Sequence, residues 1–190
     1  MKVSKGPTTL LFPCPVALVT CRDAEGRDNV ITLAWIGVAC SDPPTIGIGV
    51  RPSRYSRELI EHSGQFVVNI PSEAQLARTD FCGMVSGRDT DKWAVTGFTR
   101  EPARKVQAPM IRECPVNLEC VVKDCVDLGS HRLYLGEVVD THIDEDVLDA
   151  EGLIDYAKAA PIVYNAREYW NLGRRIGTYG FAKDAREFAG

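Results

Sequence analysis

The first seventy positions carry apolar residues in short runs of period two, each closed by Gly, Pro, Asp or Asn. Residues 16–20 (Val-Ala-Leu-Val-Thr) form the first run. Pro15 precedes it, and a turn at 22–29 follows whose Asp23, Gly26, Asp28 and Asn29 suit a hairpin loop. Residues 30–40 are a β-branched and apolar stretch, stopped by Asp42-Pro43-Pro44 because proline cannot donate to a ladder. In 45–50, Ile46, Ile48 and Val50 alternate with Gly47 and Gly49. One face of that strand is branched aliphatic and the other has no side chains. Two glycines on one face mark a place where a packed helix, a bulge or a flat ligand approaches the backbone.

Helical signals are fewer. Residues 52–64 read as a turn and a short helix, with Ser53 or Ser56 placed to cap it, Leu59 and Ile60 on its apolar side and Gly64 at its end. Residues 65–70 are another strand, closed by Pro71. Ser72-Glu73-Ala74-Gln75 has the capping-box pattern and predicts a helix that ends before Gly83, followed by a loop and a helical turn at 91–95. From Pro115, Val116, Leu118, Cys120 and Val122 alternate with Asn117, Glu119, Val121 and Lys123. The turn Asp127-Leu128-Gly129-Ser130 leads into 131–143 with a similar period, which predicts a long antiparallel hairpin with one buried face. The tail from 144 holds an acidic loop, a helix near 155–159, a strand at 162–164 and an aromatic segment. Short consecutive strands with few long helices between them predict a mainly β fold, a barrel decorated with helices.

Composition narrows the class without naming a function. The chain has 190 residues, 45% of them apolar, enough for one domain over 1–190 with a C-terminal extension from about 144. Lys and Arg number 22 against 26 Asp and Glu, a net charge of −4. An acidic balance makes a poor general ligand for nucleic acid or an anionic membrane. No apolar run reaches transmembrane length, and no apolar segment follows Met1-Lys2-Val3-Ser4-Lys5-Gly6, so a cytoplasmic protein is expected. The seven cysteines are irregularly spaced with no Cys-x-x-Cys pair, as expected of reduced thiols acting as small hydrophobes, with a redox role for one of them as the alternative. Three histidines without ligand spacing predict no metal site.

The one local exception to this average composition is Arg51-Pro52-Ser53-Arg54-Tyr55-Ser56-Arg57. Three guanidiniums and two hydroxyls stand where a helix is predicted to begin, and free amides at a helix N-terminus favour an anion that Arg can grip with two hydrogen bonds. A surface helix with solvated arginines is the competing interpretation. No P-loop, nucleophile-elbow serine or His-Glu-x-x-His pattern occurs, and Gly47-Ile48-Gly49 lacks the third glycine of a dinucleotide loop.

Taken in order, Asn29-Val30-Ile31-Thr32-Leu33-Ala34-Trp35, Cys40-Ser41-Asp42-Pro43-Pro44, the run 50–56 and Phe66-Val67-Val68-Asn69-Ile70 resemble the flavin reductase-like family, and within it the flavoredoxin-type branch. Gly129-Ser130-His131 resembles the family's glycine–acid–histidine turn, with Ser130 where an acid is usual. Tyr164 and Tyr169-Trp170-Asn171-Leu172-Gly173 resemble the flavoredoxin ending, so that the resemblance runs from about Phe12 to Gly180.

That resemblance implies a split β-barrel binding FMN, usually as a homodimer with the flavin near the subunit interface. It assigns Asn29, Thr32, Leu33, Ala34 and Trp35 to the isoalloxazine and ribityl chain, and Cys40 and Ser41 to the strand end beside the ring. It assigns Arg51, Ser53, Arg54, Tyr55 and Ser56 to the phosphate, and Phe81, Cys82 and Gly83 to a loop bordering the flavin. His131 matches a histidine near the nicotinamide site, and Ser130 before it weakens the case for nicotinamide use. Tyr169 and Trp170 are flavin contacts or anchors of a dimer interface. Trp35 is a platform or a core residue, and His131 is functional or a hairpin cap. The function implied is an FMN-dependent oxidoreductase that takes hydride from NADH or NADPH, or relays electrons to a redox partner protein. A non-enzymatic split-barrel module for flavin or another planar ligand is the alternative. Either role is consistent with a chain lacking acid–base machinery, because a flavin carries the redox chemistry itself.

Overall fold

Each alternating run becomes a strand in the computed structural model, which describes residues 1–182. Residues 183–190, the end of the expected domain and extension, lie outside the described residues. In chain order the elements are β1 (Cys14–Pro15), β2 (Ala17–Arg22), β3 (Asp28–Leu33), β4 (Ile36–Ser41), β5 (Pro44–Val50), α1 (Tyr55–Ser63), β6 (Gln65–Ile70), α2 (Leu76–Met84) and α3 (Lys92–Thr96). They continue with β7 (Arg100–Glu101), β8 (Met110–Ile111), β9 (Val116–Asp127), β10 (Arg132–Ile143), α4 (Tyr156–Ala159), β11 (Ile162–Asn165) and β12 (Glu168–Asn171).

Seven strands form one antiparallel sheet in the order β3-β2-β6-β9-β10-β5-β4. Its two edge strands, β3 and β4, are consecutive in the chain and joined only by Ala34 and Trp35. The sheet therefore has to roll until its edges meet at Trp35, although no ladder closes it. Ile48, Val50, Phe66, Val19 and Cys21 are fully buried inside the roll, packed with Leu59 and Ile60 of α1. Burial of such side chains stabilises by roughly 1.5–3 kcal/mol each. Gly136 lets the ring of Phe66 lie against the β10 backbone, where a Cβ would come within 2.4 Å of Phe66 Cζ. A smaller sheet, β1-β11-β12, brings the C-terminal strands back beside the N-terminal one.

Several expectations need correction. The stretch 30–40 is two strands, because the chain crosses from one sheet edge to the other at Ala34–Trp35. Neither Ser53 nor Ser56 caps α1: its N-cap is Arg54, with no side-chain cap, since Ser56 is already inside the helix with its hydroxyl accepting from Asn29 Nδ2 at 2.8 Å. The capping box at Ser72 forms as expected but caps a 3₁₀ turn, and α2 then continues through Gly83 to Met84. Gly83 is tolerated there because α2 lies so close to β3 that a Cβ would sit 3.2 Å from Thr32 Cβ. The long hairpin of β9 and β10 does not have one buried face: Asn117 and Glu119, on the expected polar face, are buried as well. The loop before β8 covers them, its Arg104, Lys105 and Val106 amides all donating to Glu119. Among the described residues no helix is long and apolar enough to cross a membrane.

Candidate functional site

The meeting point of the sheet edges leaves an open seam, and the largest cavity of the site lies along it. It measures about 540 Å³ and is lined from β3 by Ile31, Thr32 and Leu33, from the crossing by Ala34 and Trp35, and from β5 by Gly49. Such a volume lies in the range of small-molecule and cofactor sites. Among the described residues β3 pairs only with β2, so its other edge offers unpaired backbone groups along this wall. α2 supplies Asp80, Gly83 and Met84, and the small sheet supplies Tyr164, Arg167 and Tyr169.

At one end stand Trp35 and His131. Their rings stack with centroids 5.5 Å apart and planes 11° from parallel. Gly49 makes room for the pair, since a Cβ there would lie 3.2 Å from Trp35 Cβ and 3.8 Å from His131 Cδ2. The close approach expected at the glycine face is thus in part Trp35 itself. Burial, and then the positive charge of Arg51, hold His131 below the usual histidine range, so its imidazole is neutral at neutral pH. Ser130 Oγ lies 2.9 Å from His131 Nδ1 and is its hydrogen-bond partner. The next residue, Arg132, is tied to Glu61 and Asp127, which fixes the start of β10 and with it His131.

The three arginines of the run 51–57 separate. Arg57 lies within α1 and pairs with Glu61 one turn on, at 2.9 Å. Arg51 and Arg54 line the large cavity, and among the described residues neither has a carboxylate within ion-pair distance. A side pocket of about 50 Å³ opens beside Arg54, walled by Asn29, Ser53, Tyr55, Ser56, Cys82, Gly83, Ser86, Gly87 and Lys92. It faces the uncapped N-terminus of α1, whose free amides and dipole favour an anion. Lys92 adds to that field. It is only 3% exposed, it donates to the carbonyls of Val30 and Cys82 at 2.7 Å, and burial pulls it down to about 8.

Of the residues singled out in the sequence, Thr32, Leu33, Ala34, Trp35, Arg51, Arg54, Gly83, His131 and Tyr169 line the large cavity. Asn29, Ser53, Tyr55, Ser56 and Cys82 join Arg54 and Gly83 around the side pocket. Four lie elsewhere. Cys40 and Ser41 are at the far end of the β4–β5 hairpin, where Ser41 pairs with Pro44 while Trp35 sits at the opposite end. Phe81 is half-buried on α2 and lines neither space. Trp170 alternates to the other side of β12 from Tyr169, exposed, with its indole N–H donating to Glu168.

Sequence reasoning missed Asp80, Met84, Arg167, Ser86, Gly87 and Lys92. Asp80 accepts from Tyr169 Oη at 2.9 Å; burial and this carboxylate raise Tyr169 to about 12. Arg167 reaches the cavity from the β11–β12 turn, where Ala166 and Arg167 both take positive φ (46° and 85°) without a glycine to signal it. All seven cysteines are free. Burial raises Cys21 and Cys120 to about 12 and Cys82 to about 11, so these are inert thiols.

The flavin reductase like domain matches residues 9–173. The chain belongs to the flavin reductase-like family. Within the family it is similar to the flavoredoxin of Desulfovibrio vulgaris (Miyazaki F), at 34% identity and a TM-score of 0.91 over 96% of this chain and all (100%) of that one. The flavoredoxin from Methanosarcina acetivorans matches at 29% identity and a TM-score of 0.86, over 97% of each chain. An uncharacterized protein of Archaeoglobus fulgidus is 32% identical over 146 residues, 77% of this chain and 81% of that one. The rolled, unclosed sheet is the split barrel that membership of the flavin reductase-like family implies.

Proposed function

We propose that this protein binds FMN as a prosthetic group and works as an oxidoreductase, reduced by NADH or NADPH or passing electrons to a partner protein. One observation carries the proposal. Arg51 and Arg54, without carboxylate partners among the described residues, line a cavity that also holds the Trp35–His131 stack, and Arg54 stands where it meets the side pocket at the uncapped N-terminus of α1. That arrangement fits a flat ring with a phosphate tail, and the flavoredoxin neighbours agree with it. Arg51, Arg54 and the first amides of α1 would hold the phosphate. Thr32, Leu33, Ala34 and Trp35 would meet the ring along the free edge of β3. When bound, FMN supplies the redox chemistry, and the protein orients it and limits access. His131, neutral and held by Ser130, stands over Trp35 at the mouth, where it can position a donor without contributing charge.

The proposal includes a two-fold homodimer and a cytoplasmic location. The first is supported by edge strand β4, which presents Val38 at 79% exposure beside half-exposed Trp35. The second is supported by seven unpaired thiols.

The test is spectroscopic. The purified protein is expected to take up FMN with a yellow colour that NADH or NADPH bleaches under anaerobic conditions. A protein that stays colourless with FMN refutes the proposal. A yellow protein that neither nucleotide bleaches is an electron carrier or a binding module. If the nicotinamide arm holds, His131→Ala should leave FMN affinity within about twofold and slow nicotinamide-driven reduction by roughly tenfold or more. Unchanged stopped-flow reduction rates would remove His131 from the mechanism.

A further inference from the structure

The side pocket at the start of α1 holds little more than one tetrahedral anion, at about 50 Å³. Two of its walls come from separate chain segments, Ser53 and Tyr55 at the start of α1 and Ser86 and Gly87 after α2. The second wall is seated tightly: a Cβ on Gly87 would lie 2.1 Å from Asn29 Oδ1, and Asn29 in turn donates to Ser56. Arg88 ties the two walls together from outside. Its Nη1 donates to the Ser53 carbonyl at 3.1 Å, its Nη2 pairs with Glu58 of α1, and its guanidinium lies 5.4 Å from the Tyr55 ring centroid. A guanidinium that uses its edge on a carbonyl and a carboxylate and its face on an aromatic ring has its position fixed in every direction.

We propose that Arg88 is a positioning residue that sets the flavin specificity of this site, latching the anion pocket at the size of one phosphate and so selecting FMN over FAD. The proposal rests on the FMN reading above. Arg88 does not line the pocket; it acts through Ser53, Tyr55 and the 86–87 wall. FAD carries a second phosphate and an adenosine beyond the first, and these need an outlet where the latch holds the walls together. Without Arg88 the charge of Arg54 remains at the pocket, but the facing wall keeps only its packing on Asn29 and loses its tie to Ser53, Tyr55 and α1. FMN then loses fit and FAD gains a way out, while riboflavin, which has no phosphate, is indifferent.

The full-length wild type, Arg88→Ala and Glu58→Gln are titrated with riboflavin, FMN and FAD by flavin fluorescence, with circular dichroism to verify folding. Arg88→Ala should weaken FMN about tenfold, keep riboflavin within about twofold and leave FAD unchanged or tighter, so the FMN-to-FAD preference falls about tenfold or more. Glu58→Gln, which removes only one partner of the latch, should shift the preference the same way by a smaller factor. A preference that stays constant in both variants overturns the proposal, as does a riboflavin loss equal to the FMN loss. Wild type that binds FMN and FAD equally well sinks the latch alone; wild type that takes up no flavin sinks the FMN reading with it.

Discussion

Arg51→Ala combined with Arg54→Ala is expected to weaken FMN by about a hundredfold or more while riboflavin stays within about threefold. On the proposed reading each guanidinium would give the phosphate a charge-assisted hydrogen bond worth about 1.5–3 kcal/mol, and riboflavin has no phosphate to receive it. Both side chains are exposed and lack carboxylate partners among the described residues, so their removal strands no buried charge and the fold should be kept. Ionic strength gives a second readout. Wild-type affinity for FMN should fall as salt rises, because the contact is between charges at the surface, and the double variant should lose most of that dependence. Isothermal titration of both ligands at two salt concentrations decides it. Equal losses for FMN and riboflavin would mean that the arginines shape the cavity rather than bind the anion.

The same arginines show where the sequence was legible. The run 51–57 marked arginines of which two line the cavity without carboxylate partners among the described residues, and even its division could be inferred: Arg57 and Glu61 are spaced as an i, i+4 pair on a helix, which removes Arg57 from the cavity. Strand positions followed from alternation because most faces obey it, as β5 does with Ile48 and Val50 inward. Four parts were not legible. Ala34–Trp35 has no turn chemistry, since the break there is imposed by rolling the whole sheet and not by local preference. Cys40 and Ser41 lie about six residues along β4 from Trp35, roughly 20 Å at the rise of a strand, so adjacency in a motif did not mean adjacency in space. Lys92 and Arg167 reach the site through packing of a short helix and a hairpin far along the chain. Their neighbours in sequence carry no sign of it. Glu119 was hidden for a related reason: alternation placed it on a solvent face, and only the loop that folds over β9 turns that face into core.

Glu119 carries the largest expected effect on stability. Its side chain has 0% exposure, yet its carboxylate accepts the amides of Arg104 at 2.7 Å, Lys105 at 2.6 Å and Val106 at 3.0 Å, and meets His142 Nε2 at 2.6 Å. Burial alone would push Glu119 up, but the three amides and His142 outweigh it and hold the carboxyl below the usual glutamate range. With both oxygens committed to these donors, Glu119 clamps the 104–106 loop. Glu119→Ala leaves the three amides and the imidazole without their acceptor, at a cost of about 4 kcal/mol, which lowers Tm by roughly 8–16 °C for a chain of this size. Glu119→Gln keeps the shape and removes the charge, and it isolates the pH dependence. A carboxyl whose folded-state pKa is depressed stabilises fully above its unfolded value, near 4.5, and progressively less as pH falls towards the folded value. The stability gap between wild type and Glu119→Gln should therefore be largest at neutral pH and narrow below about pH 4.5. Urea midpoints of both proteins at pH 7 and pH 3.5 measure it. A gap that stays constant across that range would show that the amides are held by geometry and owe nothing to the charge.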